Sequence, residues 1–166
     1  MKTINDAMLN MLQDIYYAER QILKALPKMA KAAESEKLKQ GFIKHREETE
    51  HHVERLQQVF EHMGKRARGQ TCEAINGIIE EGEEFVGEFE KGPVLDAALA
   101  VNAQAVEHYE MARYGTLIAW LNACGMTEPV KLLEQTLEEE KKADQLLNEV
   151  ANSELNQKAA KTARAA

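Results

Sequence analysis

The sequence is poor in the residues from which β-sandwiches, barrels and disulfide-rich domains are built. Its 166 residues include only 9 glycines, 3 prolines and 5% aromatic residues, whereas such β folds place glycine and proline in turns and aromatic side chains in strands. The two cysteines, Cys72 and Cys124, lie far apart and form no paired motif, which argues against a disulfide framework. These scarcities leave a helical domain as the expected class.

Long apolar runs and net positive charge are also missing. No run approaches the roughly 18–20 apolar residues that a bilayer span needs, and the first residues lack the apolar core of a signal peptide. We therefore expect a cytoplasmic protein with no membrane partner. The formal net charge of −7, from 28 acidic against 21 basic residues, argues against a nucleic-acid partner.

Apolar residues at three- and four-residue steps predict four long helices. Their predicted ranges are 3–33, 37–63, 94–123 and 127–152, and a shorter, glycine-interrupted helix is predicted over 71–89. Pro27 lies inside the first pattern without ending it, which predicts a kink. The short connections near Ser35 and Gly125 make antiparallel hairpins of the helices that they join.

The link between the two hairpins has about thirty residues, which is long for a connection between helices. One long crossover of this kind is typical of the ferritin-like arrangement, whereas an up-and-down bundle needs short loops only. The sequence therefore predicts an all-α, ferritin-like four-helix bundle over residues 1–152, with the short extra helix in its crossover. The basic, alanine-rich tail, 153–166, is predicted to be frayed helix or disordered.

An acidic residue interrupts the apolar stripe near the middle of each long helix. Antiparallel packing would bring these acids to one level of the bundle, where carboxylates repel each other unless a cation is bound. Carboxylates, together with imidazoles, are the ligands of the metal pairs found in dimetal helical bundles. The candidate carboxylate ligands are Glu19, Glu48, Glu107, Glu110, Glu140 and Asp144.

The second helix also offers an imidazole ligand. His51 follows Glu48 by three residues, which is the Glu-x-x-His spacing that directs both side chains to one ion. His52 lies closer to the apolar stripe and is the alternative ligand, while His45 is interpreted as a core or ligand-orienting hydrogen-bonding group. The spacing favours His51.

Four segments, one from each long helix, carry a resemblance to a known family. They are residues 14–21 (DIYYAERQ), 45–49 (HREET), 106–117 (VEHYEMARYGTL) and 136–141 (TLEEEK). Together they resemble the YciF-like bacterial stress proteins, a branch of the ferritin-like superfamily, over nearly the whole chain apart from the tail. The resemblance implies a ferritin-like bundle, commonly a homodimer, that is associated with stress responses and for which a dimetal site is usually inferred.

The resemblance also implies roles for individual residues. The superfamily's four carboxylate positions correspond to Glu19, Glu48, Glu110 and Glu140. His51 matches the imidazole of the second helix, and Glu107 resembles an additional carboxylate that rubrerythrins carry in the third helix.

The fourth helix departs from the superfamily pattern. A second Glu-x-x-His would place a histidine at position 143, where this chain has Ala143. Asp144 is either a direct ligand or an acceptor that orients His51 or His52. The donor set therefore fits two metal ions, or one ion if the second site is too weak.

Two classes of function are consistent with these residues. The first is a dimetal oxidoreductase that holds iron or manganese and acts on a small oxidant such as peroxide or oxygen, as a peroxidase, a catalase-like enzyme or a ferroxidase. The second is a non-enzymatic, dimeric stress or scaffold protein with a vestigial acid cluster. Iron storage in a ferritin-type shell is less attractive because no residue identifies a shell contact.

Overall fold

Five helices form the bundle and its crossover in the computed structural model, which describes residues 1–163. They are α1 (Ile4–Ala32), α2 (Glu36–His62), α3 (Glu73–Glu88), α4 (Pro93–Ala123) and α5 (Thr127–Val150). No strand occurs within the described residues, so the all-α prediction is confirmed. The same residues contain no helix that is both long enough and apolar enough to cross a membrane.

Helix ends follow the capping and glycine signals of the sequence. The N–H of Thr3 donates to the Asp6 carboxylate at 2.7 Å where α1 begins, and the Ser35 hydroxyl accepts from a backbone N–H one turn later where α2 begins. Gly64 (φ 65°) and Gly125 (φ 73°) follow α2 and α4 in the left-handed conformation that glycine adopts at little cost. α1 continues through Pro27 to residue 32, as its apolar spacing predicts.

The helices pack as two hairpins joined by one long crossover. α1 packs against α2 and α4 against α5, while contacts between α2 and α5 and between α1 and α4 close a four-helix bundle. Asp96 of α4 ties the hairpins together, because its carboxylate accepts the backbone N–H groups of Glu34 and Ser35 at 2.8 Å each. α3 belongs to the crossover and packs on α4 and α1. The predicted ferritin-like bundle is confirmed.

The chain remains helical beyond α5. One π-type segment, Ala151–Leu155, leads into α6 (Asn156–Thr162), and both pack against α4. Leu155 is 1% exposed, so an apolar side chain anchors the segment that the sequence predicted to be frayed or disordered from residue 153. Helical order therefore extends further than predicted, and residues 164–166 of that tail lie outside the described residues.

Candidate metal centre

Six ionisable side chains meet in the interior of the bundle, at the middle of the four long helices. Each of these residues is at most 6% exposed. α1 and α5 supply one residue each, whereas α2 and α4 supply two each. The six are Glu19, His45, His52, Glu107, Glu110 and Glu140, and we refer to them as the central cluster.

Helical spacing explains why each pair of the central cluster lies on one face. Glu107 and Glu110 are three residues apart, and His45 and His52 are seven apart, which is close to two full turns. Glu19 occupies the interior face of α1 between the buried Ile15 and Ile22. The antiparallel order of the helices then brings the mid-helix positions to one level, as the sequence predicted.

The central cluster divides into two overlapping groups of possible ligand atoms. His45, Glu107, Glu110 and Glu140 form one group, and Glu19, His52 and Glu140 form the other, each with its ligand atoms within 4.8 Å of one another. His45 Nε2 lies 3.3 Å from Glu107 Oε1 and 3.9 Å from Glu140 Oε2. Glu140 belongs to both groups, so it is the residue that two ions, if bound, would share.

His52 makes the corresponding contacts in the second group. Its Nδ1 lies 3.0 Å from Glu140 Oε1 and 3.4 Å from Glu19 Oε1. Atoms that share an ion at about 2.1 Å each lie about 3.0–3.5 Å from one another. The spacing of these donors is therefore suitable for a common cation.

The central cluster also concentrates polar atoms that lack hydrogen-bond partners. Among the described residues, nine buried side-chain nitrogen and oxygen atoms have no partner, and all nine belong to the central cluster. Glu110 contributes both carboxylate oxygens and His45 contributes both ring nitrogens. Buried polar groups are almost always satisfied in folded proteins, so this concentration fits side chains that bind a metal ion.

The charges of the central cluster are mutually dependent. Burial and the Glu140 carboxylate raise the pKa values of Glu107 and Glu110 well above the usual range. Burial opposes a charge on His52, but the Glu19 and Glu140 carboxylates raise the pKa of His52 to about 11. Without metal, protonation of Glu107 and Glu110 and a positive charge on His52 therefore reduce the negative charge of the central cluster. A bound cation would displace those protons.

Glu139 and Arg55 support the central cluster from outside. His52 Nε2 lies 2.9 Å from Glu139 Oε2, and the Arg55 guanidinium donates to both Glu139 oxygens at 2.5 and 3.0 Å. Burial opposes ionisation of Glu139, but the hydrogen bonds and charge of Arg55 hold its pKa below the usual value. The Glu139 carboxylate can accept a hydrogen bond from the Nε2–H group of His52. This contact orients the ring so that Nδ1 faces Glu19 and Glu140.

A tyrosine orients one carboxylate of the central cluster. The hydroxyl of Tyr114 donates a hydrogen bond to Glu19 Oε1 in the fully buried interior. Burial and the Glu19 charge raise the pKa of Tyr114 well above its usual value, so this phenol remains a hydrogen-bond donor. Glu19 Oε2 has no partner among the described residues, so Glu19 could offer this oxygen to an ion as well as the remaining lone pair of Oε1.

The structure brings four of the seven predicted site residues into the central cluster. These are Glu19, Glu107, Glu110 and Glu140. Glu48 lies at the edge, where its side chain is 23% exposed, pairs with Lys44 at 2.9 Å and lies 4.0 Å from His45 Nδ1.

His51 and Asp144 lie outside the central cluster. The His51 side chain is 66% exposed and contacts Glu54 at 3.3 Å. Asp144 contacts His108 at 3.1 Å and accepts from Gln104 at 3.1 Å, so it orients neither His51 nor His52. The imidazoles of the central cluster are therefore those of His52, which was the alternative to the favoured His51, and of His45, which was interpreted as a core or orienting group.

The position of each residue around the axis of α2 explains why His52, and not His51, faces the interior. One residue turns an α-helix by about 100°, so His51 and His52 cannot both face the interior. His52 follows the stripe of Phe42, His45 and Leu56, all of which are buried, and this spacing is the signal that should have outweighed Glu-x-x-His. The sequence contains no comparable signal for Glu139, because its contacts with His52 and Arg55 depend on how α5 packs against α2.

Comparisons with known proteins agree with this architecture. A family model described as a domain of unknown function, DUF892, matches residues 3–160. The protein YciF of Escherichia coli strain K12 is 45% identical over 160 residues, which is 96% of both chains.

Two solved structures have the same fold over most of their length. The E. coli stress protein YciF has a TM-score of 0.90 at 45% identity and covers 95% of this chain and 100% of its own. YcfI of Rhodopseudomonas palustris has a TM-score of 0.87 at 52% identity and covers 89% of this chain and 94% of its own.

Proposed function

This chain belongs to the DUF892 family of YciF-like proteins, and we propose that its central cluster holds two ions of iron or manganese for redox chemistry on peroxide or oxygen. The E. coli relative is described as a stress protein, and we extend that role to this chain. The observation that carries the proposal is the set of nine unpartnered buried atoms, all on the six converging side chains.

The donor set favours particular metals and a particular distribution of ligands. One ion would be held by His45, Glu107, Glu110 and Glu140, and the other by Glu19, His52 and Glu140. Carboxylates and imidazoles without a thiolate suit iron and manganese. The three-residue group offers fewer protein ligands from the described residues, so it is the better place for a small oxidant to bind.

The surrounding residues prepare the site for this chemistry. Iron or manganese, when bound, supplies the electron transfer that peroxide or oxygen reduction needs. Glu139 holds the ring of His52 in one orientation, and Tyr114 holds one oxygen of Glu19. The buried position of the six side chains of the central cluster limits access of bulk water.

Metal analysis of two matched variants tests this proposal. Glu140→Gln removes the shared charge, whereas Glu138→Gln changes a neighbouring, exposed side chain whose ion pair within the described part of the chain is with Lys142, at 3.7 Å. Protein purified without chelator and titrated with Fe(II) or Mn(II) should bind about two ions per chain, as should Glu138→Gln, while Glu140→Gln should lose both. The first two proteins should also consume peroxide faster than Glu140→Gln. Less than about 0.1 equivalent of metal, with no uptake on titration, would exclude the proposal.

A non-enzymatic function is the second candidate. The R. palustris relative is described as a proposed structural protein, which favours a dimeric stress or scaffold protein with a vestigial acid cluster. Sedimentation would then give a homodimer, and manganese would not change the melting temperature of either wild type or Glu140→Gln. A particle far larger than a dimer would instead support a storage shell.

A further inference from the structure

An apolar cavity of about 140 Å³ lies beside the central cluster. All five bundle and crossover helices contribute to its wall, and most of the lining is aliphatic or aromatic, including Ile22, Phe42, Val106 and Leu147. An apolar cavity of about 150 Å³ is large enough for one benzene molecule. The volume therefore admits a molecule of about that size.

The inner end of the cavity is polar and buried. His45 and Glu107 line it, and both residues also belong to the central cluster. Both ring nitrogens of His45 and one oxygen of Glu107 have no hydrogen-bond partner among the described residues. A ligand with an apolar body and one hydroxyl group could satisfy an acceptor at this end, because a hydroxyl both donates and accepts.

The outer end of the cavity does not favour an anion. Lys28, Lys44 and Lys142 line it, but each is already next to a carboxylate. Lys28 pairs with Glu83 at 2.7 Å, Lys44 with Glu48 at 2.9 Å and Lys142 with Glu138 at 3.7 Å. The rest of the lining is mostly apolar and would have to strip water from an anion without offering an unpaired cation, so the cavity favours a neutral molecule over a negatively charged one.

The small side chain at position 143 helps to form the cavity. Ala143 is half-buried on α5 and lines the wall, at the position where a second Glu-x-x-His would place an imidazole. A larger residue there would occupy part of the space next to His45. Ala105 of α4 is also half-buried but does not line the cavity, and it provides a matched control.

We propose that this cavity binds a small, neutral phenol, with the ring in the apolar part and the hydroxyl at His45 and Glu107. Ligand binding beside the central cluster goes beyond the metal-dependent function and does not require a bound ion. A failure of the phenol site is therefore distinguishable from a failure of the metal site.

Titration of the chelator-treated, full-length protein with phenol, toluene and benzoate tests the proposal. Methyl NMR signals of Ile22, Val106 and Leu147 should shift with phenol at concentrations on the order of 1 mM, while those of Ile75 and Val130, which lie elsewhere in the core, should not. Phenol should bind more tightly than toluene, since only phenol satisfies the inner polar atoms, and benzoate should bind least. No shift at the lining residues, or tighter binding of benzoate than of phenol, would overturn the proposal.

Two substitutions locate the binding site. Ala143→Phe should weaken phenol binding by about tenfold or more because the added ring fills the cavity, and Ala105→Phe should leave the affinity unchanged. Circular dichroism shows whether each variant is folded. If Ala143→Phe does not fold, contacts between phenol protons and the Ile22 or Leu147 methyl groups of the wild type decide the location. Equal affinity of the two folded variants, or absence of those contacts, would contradict the proposal.

Discussion

The two halves of the central cluster differ in how far the surrounding protein holds them in place. On the His52 side, Nε2 of the ring contacts Glu139, Arg55 holds Glu139, and Tyr114 donates to Glu19. On the His45 side, both ring nitrogens lack partners among the described residues.

Glu110 continues this pattern on the His45 side. Neither of its carboxylate oxygens has a partner among the described residues, and its neighbours in the cluster, His45 and Glu107, line the apolar cavity. The hydrogen bonds of the His52 half hold its side chains in position before any ligand binds, which is the preorganisation that the proposed metal site would need. In the His45 half, the proposed ion would be needed to satisfy the polar atoms, and this half adjoins the proposed ligand site.

Substitution of His45 and of His52 should reveal the difference between the two halves most strongly. His45→Ala and His52→Ala should each reduce metal uptake from about two ions to about one. In metal-free protein, His52→Ala should lower the free energy of unfolding by about 3–5 kcal/mol, because it leaves the buried Glu19 and Glu140 without their countercharge. His45→Ala should cost less, since His45 makes no aligned hydrogen bond through its ring.

Metal titration and chemical denaturation measure both effects. His51→Ala is the matched control, since it removes the neighbouring exposed ring. If His45→Ala and His52→Ala destabilise the metal-free protein equally, the two halves do not differ as described.

Removal of the hydrogen bonds outside the cluster should affect one half only. Glu139→Gln and Arg55→Ala should lower the affinity of the His52 half for metal by about 10–100-fold, a magnitude typical of lost partners of ligating histidines. The His45 half should retain its affinity because, among the described residues, the hydrogen bonds of Glu139 and Arg55 reach His52 and Thr136 but not His45, Glu107 or Glu110. Competitive titration against a chelator with two resolved binding steps measures the two affinities.

Arg46→Ala is a suitable control because Arg46 is on the same helix as Arg55 and, within residues 1–163, forms its ion pair with the exposed Glu50, at 3.2 Å. An equal loss of affinity at both steps would show that the two halves are coupled more tightly than the hydrogen bonds imply.

The pH dependence of stability should differ between metal-free and metal-bound protein. Glu107 and Glu110 have raised pKa values, so folding takes up protons and their contribution to stability falls as the pH rises above the unfolded value of 4.5. His52, with a pKa of about 11, contributes stability that is present in full below 6.5 and lost as the pH rises towards 11. Both effects make metal-free protein less stable at higher pH.

Metal binding should reverse this trend because an ion displaces the same protons. The increase in melting temperature caused by Mn(II) should therefore grow between about pH 5 and pH 8. Thermal scans in chelator and in Mn(II) measure it, with a Glu107→Gln, Glu110→Gln double variant as the control in which the slope of the metal-free protein becomes flatter. An increase that is independent of pH would contradict the assigned protonation states.

The smallest effects should come from two residues that the sequence pattern suggested but the structure places outside the cluster. His51→Ala and Asp144→Asn should change the free energy of unfolding by less than about 0.5 kcal/mol, because the His51 side chain is exposed and the half-buried Asp144 pairs with the exposed His108. Metal stoichiometry should remain that of the wild type. Loss of an ion in His51→Ala would mean that α2 is rotated relative to the present arrangement.

The helices and their order were predictable because they depend on short-range patterns. Apolar residues at helical spacing and the glycines after α2 and α4 place the helix ends within a few residues of those observed. Glu19, Glu107, Glu110 and Glu140 were predictable for the same reason, since an acid in the middle of an apolar stripe is visible in one helix alone. The resemblance of four segments to YciF-like proteins added the family, which the comparisons confirm.

The choice among neighbouring residues was not predictable in this way. Glu48 and His51 satisfy the Glu-x-x-His spacing, but a spacing is equally correct on either side of a helix. Rotation of α2 towards α5 places His45 and His52 inside and His51 outside. Leu155 provides a second case, because its burial against the bundle orders a segment that is weakly patterned by itself.

The sequence by itself determined the helical class, the single crossover and the level at which acidic residues meet, because these follow from periodicity and chain connectivity. The tertiary structure decided which histidines face the acids, that Glu139 and Arg55 support His52, and that an apolar cavity adjoins His45. Those features depend on the rotation of each helix against its neighbours. That rotation is set by the packing of many side chains from different helices, and no single segment of the sequence contains it.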